Sequence, residues 1–188
     1  GLAVPSGEYV NLTAAIQTGL PGTTTWTQGG TVVQAGVSIL ANRRDLAENF
    51  TSWHIKARNL SYLGEGFVLR LEINAAGTQS GTPFERRLRL GGSGQLGASS
   101  PMFVGEMNLH SKLEVQRYFT HDLAAYVNYE AAKIWEDASN PDQSSFLHSV
   151  GVGLTYQTPI GLQIRAQYSR NLTLANTHSF SIGLANPF

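Results

Sequence analysis

The chain has no cysteine, which excludes disulfides, thiolate catalysis and sulfur-ligated zinc. Charge is scarce: Asp, Glu, Lys and Arg make up 14% of the residues, against roughly 25% in soluble proteins. Thirteen basic and thirteen acidic side chains cancel, so no bulk field draws nucleic acid, and no nucleic-acid partner is expected. No apolar run approaches the ~20 residues of a transmembrane helix, and the mean hydropathy is slightly negative. A helical membrane protein is therefore excluded. The opening GLAVPSGEYV lacks the charged leader and apolar core of a secretory signal, as a mature exported chain, or one begun at a chosen boundary, would. At 188 residues there is room for one domain or one small barrel, so residues 1–188 are read as a single domain.

What the chain has is alternation. In LQIRAQYS, Leu162, Ile164, Ala166 and Tyr168 alternate with Gln163, Arg165, Gln167 and Ser169. FVLRLEINA sets Phe67, Leu69, Leu71 and Ile73 against Val68, Arg70, Glu72 and Asn74. Period two is the mark of a strand with two unlike faces. Eight strands are expected, near 8–20, 48–62, 66–79, 106–118, 122–136, 145–158, 160–172 and 177–188, with no helix. LGEG, FTHD and TPIG read as tight turns, whereas 21–47, 80–105, 137–144 and 173–176 are longer links. Short and longer links in strict alternation are the rhythm of an antiparallel up-and-down outer-membrane β-barrel, with both termini on the periplasmic side. The segment 24–41, with TVVQAGVSIL, fits an outer loop, a plug or a further strand pair.

A lipocalin-like soluble barrel also alternates. Two features favour the bacterial outer membrane over it and over a β-sandwich. The polar face carries an expected lumen ladder of Arg70, Glu72, Lys112, Glu114, Glu130 and Arg165, beside Lys56 and Arg58. The apolar face places Trp53, Trp135, Phe146 and Phe180 near one rim and Phe67, Tyr156 and Phe188 near the other. Two aromatic girdles bounding an aliphatic band suit two membrane interfaces. The chain also finishes on Phe180, Ile182, Leu184 and Phe188, an alternating C-terminal signal of the kind outer-membrane assembly machinery reads.

The ordered stretches FTSWHIKARNLSYLGEGFVLRLEINAAGTQ, FERRLRLGGSGQLG, LAAYVNYEAAKIW and GVGLTYQTPIGLQIRAQYS, with the Phe-terminated strand, resemble the C-terminal half of two-partner secretion transporters of the haemolysin-activator type. That superfamily includes the outer-membrane protein insertases. The resemblance implies a protein-transporting pore whose partner is a secreted protein. It also implies a long loop, carrying Leu90, Gly91 and Gly92, that folds inward to meet an acid aligned with Glu130, between Asn128 and Ala132. The loop arginine of the family would fall near 96–98, in QLGAS, where there is none. With no periplasmic receptor domains and eight expected strands against the family's sixteen, the sequence reads as a natural truncation, a domain fragment or a redesigned half-barrel. The cost of free edges in lipid forces closure or pairing with a second copy.

Catalytic signatures are weak. His54, His110, His121, His148 and His178 lack H-x-x-x-H spacing, and neither cofactor nor metal is expected. His121 beside Asp122 reads as a solvated turn pair. Asp137, Asp142 and His148 near one rim are the alternative, a water-activating set. Glu130 has two readings: pairing with a loop base among Arg86, Arg87 and Arg89, or a structural ladder with Arg165, Lys112 or Arg70. The basic clusters NRRD (42–45) and ERR (85–87) suit lipopolysaccharide phosphates or plain solvent. The expected function is thus the pore half of a secretion transporter, not an enzyme. A non-transporting eight-stranded scaffold and a rim-active enzyme are the alternatives.

Overall fold

A computed structural model describes residues 8–19, 30–41, 50–80, 87–90, 96, 103–137, 144–160, 162–174 and 177–185. These are all-β and contain no helix. The strands are β1 (Glu8–Gly19), β2 (Gly30–Ala41), β3 (Phe50–Gly64), β4 (Phe67–Thr78), β5 (Leu88–Leu90), β6 (Phe103–Gly105), β7 (Met107–Tyr118), β8 (Leu123–Trp135), β9 (Ser144–Gln157), β10 (Gln163–Asn171) and β11 (His178–Ala185). Nine form one antiparallel meander in the order β1-β2-β3-β4-β7-β8-β9-β10-β11, and β5 pairs with β6 apart from it. Phe188, Gly91 and Gly92 lie outside the described residues.

The sheet corrects the expected count of eight strands. TVVQAGVSIL is not a loop: β2 runs through it and pairs residue for residue with β1 and β3. Two physical features hid it. Val32 and Leu40 interrupt the alternation of Val33, Ala35, Val37 and Ile39, and the flanks are rich in Gly and Thr. The extra strand also reverses β1. Glu8 begins at the end of the sheet that carries the long connections, and Ala185 ends at the other. The expectation that the first and last strands have their outer ends on one side is therefore overturned.

Nine is an odd number, so the edge strands β1 and β11 run in the same direction. No ladder joins them among the described residues. A ring closed by this sheet alone, or by several copies in one orientation, would contain parallel seams. An all-antiparallel ring requires an odd number of further strands.

The faces are sorted in reverse of a soluble core. On β7 and β8 the buried positions include the polar or part-polar His110, Glu114, Gln116, Tyr126, Asn128 and Glu130 beside Ala124, Ala132 and Ile134, while Leu109, Leu113, Leu123 and Val127 are exposed. Arg165 of β10 pairs with Glu114 of β7. Three inter-strand steps separate those strands, about 14 Å in a flat sheet. Their side chains meet because the sheet curls, making the polar face the concave one.

The tight turn from β3 to β4 is set by local backbone chemistry. Gly64, Glu65 and Gly66 all take positive φ, at 96°, 50° and 78°, and the register shifts between Tyr62 and Gly64 as in a bulge. At Gly66 a Cβ would stand 3.0 Å from the Tyr118 carbonyl oxygen, and the N–H of Tyr118 itself donates back to the Gly66 carbonyl at 2.9 Å. Gly66→Ala is expected to cost about 1–2 kcal/mol, read from reversible urea unfolding. Gly183→Ala, which meets open space, should leave the midpoint nearly unchanged.

Candidate functional site: a connection held against a buried carboxylate

The concave face is organised around three carboxylates. Glu72 on β4 faces Lys56 Nζ at 3.3 Å and Arg58 Nε at 2.8 Å, both from β3, and accepts from Asn74 Nδ2 at 2.9 Å. Glu114 on β7 takes Arg70 Nη1 at 3.5 Å and the Nη2 of Arg165. Arg165 also donates from Nε to Tyr126 Oη at 2.7 Å and lies over that ring, 3.8 Å from its centroid. The Tyr126 hydroxyl donates in turn to Gln167 Oε1 at 3.1 Å.

This second cluster depends on glycine. Tyr126 pairs across the ladder with Gly153, where a Cβ would stand 2.4 Å from the phenol oxygen. With no side chain there, Tyr126 and Arg165 cover β9, and the guanidinium reaches β7.

The third carboxylate gathers the most partners. Glu130 is 1% exposed. Its Oε1 receives Lys112 Nζ at 2.8 Å, and its Oε2 receives the Leu96 backbone N–H at 2.5 Å and His110 Nε2 at 3.4 Å. A carboxylate only accepts, so the histidine carries its proton on Nε2. Its Nδ1 is buried without a hydrogen bond.

Leu96 belongs to the long connection between β4 and β7. It is 0% exposed, packed on Ala132, Ile134 and Leu147 with Phe103 and Leu174 at the margin. Its φ of 48° is left-handed, a conformation that costs a non-glycine residue about 1–2 kcal/mol. Side-chain burial and the charge-assisted bond to Glu130 hold it there together. The foot of the connection is tied as well. Glu106 donates its N–H to the Trp135 carbonyl at 2.9 Å and accepts from Thr78 N at 2.7 Å. Arg87 lies 3.6 Å from the Glu106 carboxylate and reaches the Glu136 carbonyl at 3.4 Å.

Of the two readings of Glu130, the cross-strand ladder is seen, with Lys112; among the described residues no loop base pairs with it. Glu130 grips the connection through a backbone N–H, not a loop arginine. Arg165 and Arg70 serve Glu114 instead, and Arg87 serves Glu106. Leu90 pairs with Phe103 in β5 and β6. His110, Tyr126, Gln167 and Leu96 were not singled out by sequence as members of these clusters.

The girdle positions fall at the strand ends. Trp53, Trp135, Phe146 and Phe180 stand toward the long connections, and Phe67 and Tyr156 toward the tight turns. Lys133 lies over the Trp135 ring at 4.9 Å and Arg117 over Phe67 at 5.2 Å. Phe180, Ile182 and Leu184 are exposed along the β11 edge. Of the candidate catalytic groups, His121 Nδ1 meets Asp122 Oδ1 at 2.9 Å in an exposed turn. His148 lies on the convex face, its Nδ1 2.5 Å from Tyr129 Oη. Asp142 lies outside the described residues.

No model of a known protein family matches this chain, and no curated protein matches it.

Proposed function

We propose that the chain forms wall of an outer-membrane β-barrel and serves as the pore half of a protein-secretion transporter. The observation that carries the barrel reading is the inverted sorting of faces. Every strand carboxylate with a described side chain is on the concave side, and a continuous aliphatic surface covers the convex one. In water such a surface is a liability; in lipid it is the ground state. Lys133 is level with Leu109, eight residues along β7 from Arg117. That is about 27 Å along the strand, or about 20 Å at a tilt of ~40°, near the height of a barrel's apolar band.

The transporter reading draws on the resemblance and on Leu96. A connection drawn in against a buried acid is what a gated pore needs, and an odd strand count fits poorly with a small sealed scaffold. Lipid and lipopolysaccharide, the outer-membrane assembly machinery and a secreted protein are the partners this role requires.

The test is insertion of the refolded chain into lipid vesicles, followed by electrophoresis with and without boiling and by planar-bilayer recording. A heat-shifted band and discrete conductance are expected. The concave strand positions carry Lys56, Arg58, Arg70, Lys112 and Arg165 against Glu72, Glu114 and Glu130. An excess of two cations should make the pore prefer chloride over potassium, roughly two- to fivefold in a salt gradient. A heat-shifted but electrically silent monomer would return the scaffold, and failure to insert would remove the barrel.

A further inference from the structure

The two rims of the convex face differ in charge. At the end with the long connections, Lys133 of β8, His148 of β9, Arg170 of β10 and His178 of β11 follow the strand ends. Arg170 is paired directly with His178, and Lys133 with Phe146, two residues from His148. Tyr129 holds the imidazole of His148 at Nδ1, leaving Nε2 on the far side of the ring. No carboxylate occupies a convex position of β3, β4 or β7 to β11. Among the described residues no ion pair engages Lys133 or Arg170. At the opposite rim the one convex strand cation is Arg117, which lies over the rings of Phe67 and Phe119 as Lys133 lies over Trp135. The connections supply Glu65 and Asp122 there, and Glu136 and Asp137 after β8, so the rims differ in their strand positions.

Immediately beside the cationic strip lie Val150, Val152, Phe180 and Ile182, all exposed. Cations bordering an aliphatic surface match a molecule with phosphate at one end and acyl chains at the other. Lys133 and Arg170 stand two strands and four residues apart, about 16 Å by ladder geometry. One phosphate cannot bridge that span. We propose that this strip binds a lipid headgroup bearing two phosphates, with its acyl chains along Val150, Val152 and Ile182. The proposal rests on the reading that this face lies in lipid. It goes beyond that reading by naming the headgroup chemistry and its residues.

The test uses the full chain in phosphatidylcholine vesicles doped with a diphosphorylated or a monophosphorylated disaccharide lipid, with retained lipid measured after extraction in mild detergent. The parent should retain the diphosphorylated lipid preferentially. The double variant K133Q/R170Q should bind it roughly thirtyfold more weakly, with the heat-shifted band intact. Arg117→Gln on the other rim should retain it as the parent does. Equal retention by parent and double variant would overturn the strip while leaving the barrel standing. Displacement by millimolar inorganic phosphate would overturn the lipid as ligand. Failure of the parent to insert would overturn the strip and the barrel together.

Discussion

Glu130→Ala is expected to free the β4–β7 connection from the concave face and to destabilise the fold by about 3–5 kcal/mol. The carboxylate is the shared acceptor for Lys112, His110 and the Leu96 N–H. Without it an ammonium loses its counter-charge and a buried N–H its acceptor, and both keep their desolvation costs. The connection carries trypsin sites in FERRLRL, so limited proteolysis reads its release. A fall of 3 kcal/mol in the opening free energy would raise cleavage about a hundredfold. Glu130→Gln should lie between parent and alanine variant, since an amide oxygen still accepts from Leu96 but leaves Lys112 unpaired. Leu96→Gly keeps the N–H and relieves the left-handed strain while deleting the buried side chain, so cleavage rises less than in the alanine variant. The same order is expected in conductance. If Glu130→Ala matches the parent in both cleavage and conductance, the carboxylate does not hold the connection.

The parts of this site that could be read from the sequence are those that depend on strand register. Tyr118 pairs with Ala124 across the turn at 119–122. Stepping outward from that turn brings Lys112 opposite Glu130, and only antiparallel pairing is needed to see it. Partner choice was harder. By residue type alone Arg165 and Arg70 are as good partners for Glu130 as Lys112 is. They are separated by the curl of the sheet and by the bare backbone at Gly153, neither of which period two encodes. The Leu96 contact had no letter to announce it. A backbone N–H is the same in every residue but proline, so a search for a loop arginine finds nothing where the bond is made. His110 was visible as a residue, two positions from Lys112 on the same face, but not as a third partner of Glu130.

The strand pattern divides in the same way. β4, β9 and β10 are the most legible because one face is largely apolar and the other largely polar or glycine, and β1, β3, β7 and β8 repeat the pattern less cleanly. β2 was not legible, since Gln34, Gly36 and Ser38 alternate with apolar residues while Val32 and Leu40 add apolar character to the polar face. Missing one strand changed a parity, and with it the direction of β1. The count of strands thus bears on closure more strongly than any single contact does.

Val152→Arg separates a lipid-facing wall from a solvated sheet. Val152 is 54% exposed and stands on the convex face of β9, between Val127 on β8 and Tyr168 on β10. Its position on β9 lies between the level of Lys133, at Phe146, and that of Arg117, at Leu154. On a sheet facing water, a half-exposed valine replaced by arginine changes stability by no more than about 0.5 kcal/mol. At the midplane of a bilayer the same change costs about 2–4 kcal/mol, because the guanidinium must be desolvated or must thin the membrane around it. The expected result is a lower urea midpoint in vesicles by that amount, with little effect from an arginine placed at Phe146, nearer the rim. Lys112 and Glu130 lie on the other face, so the β4–β7 connection should keep its protease resistance in the folded fraction. Equal midpoints for Val152→Arg and the parent would mean that this surface does not meet lipid. The exposed aliphatic band would then need a protein partner to cover it.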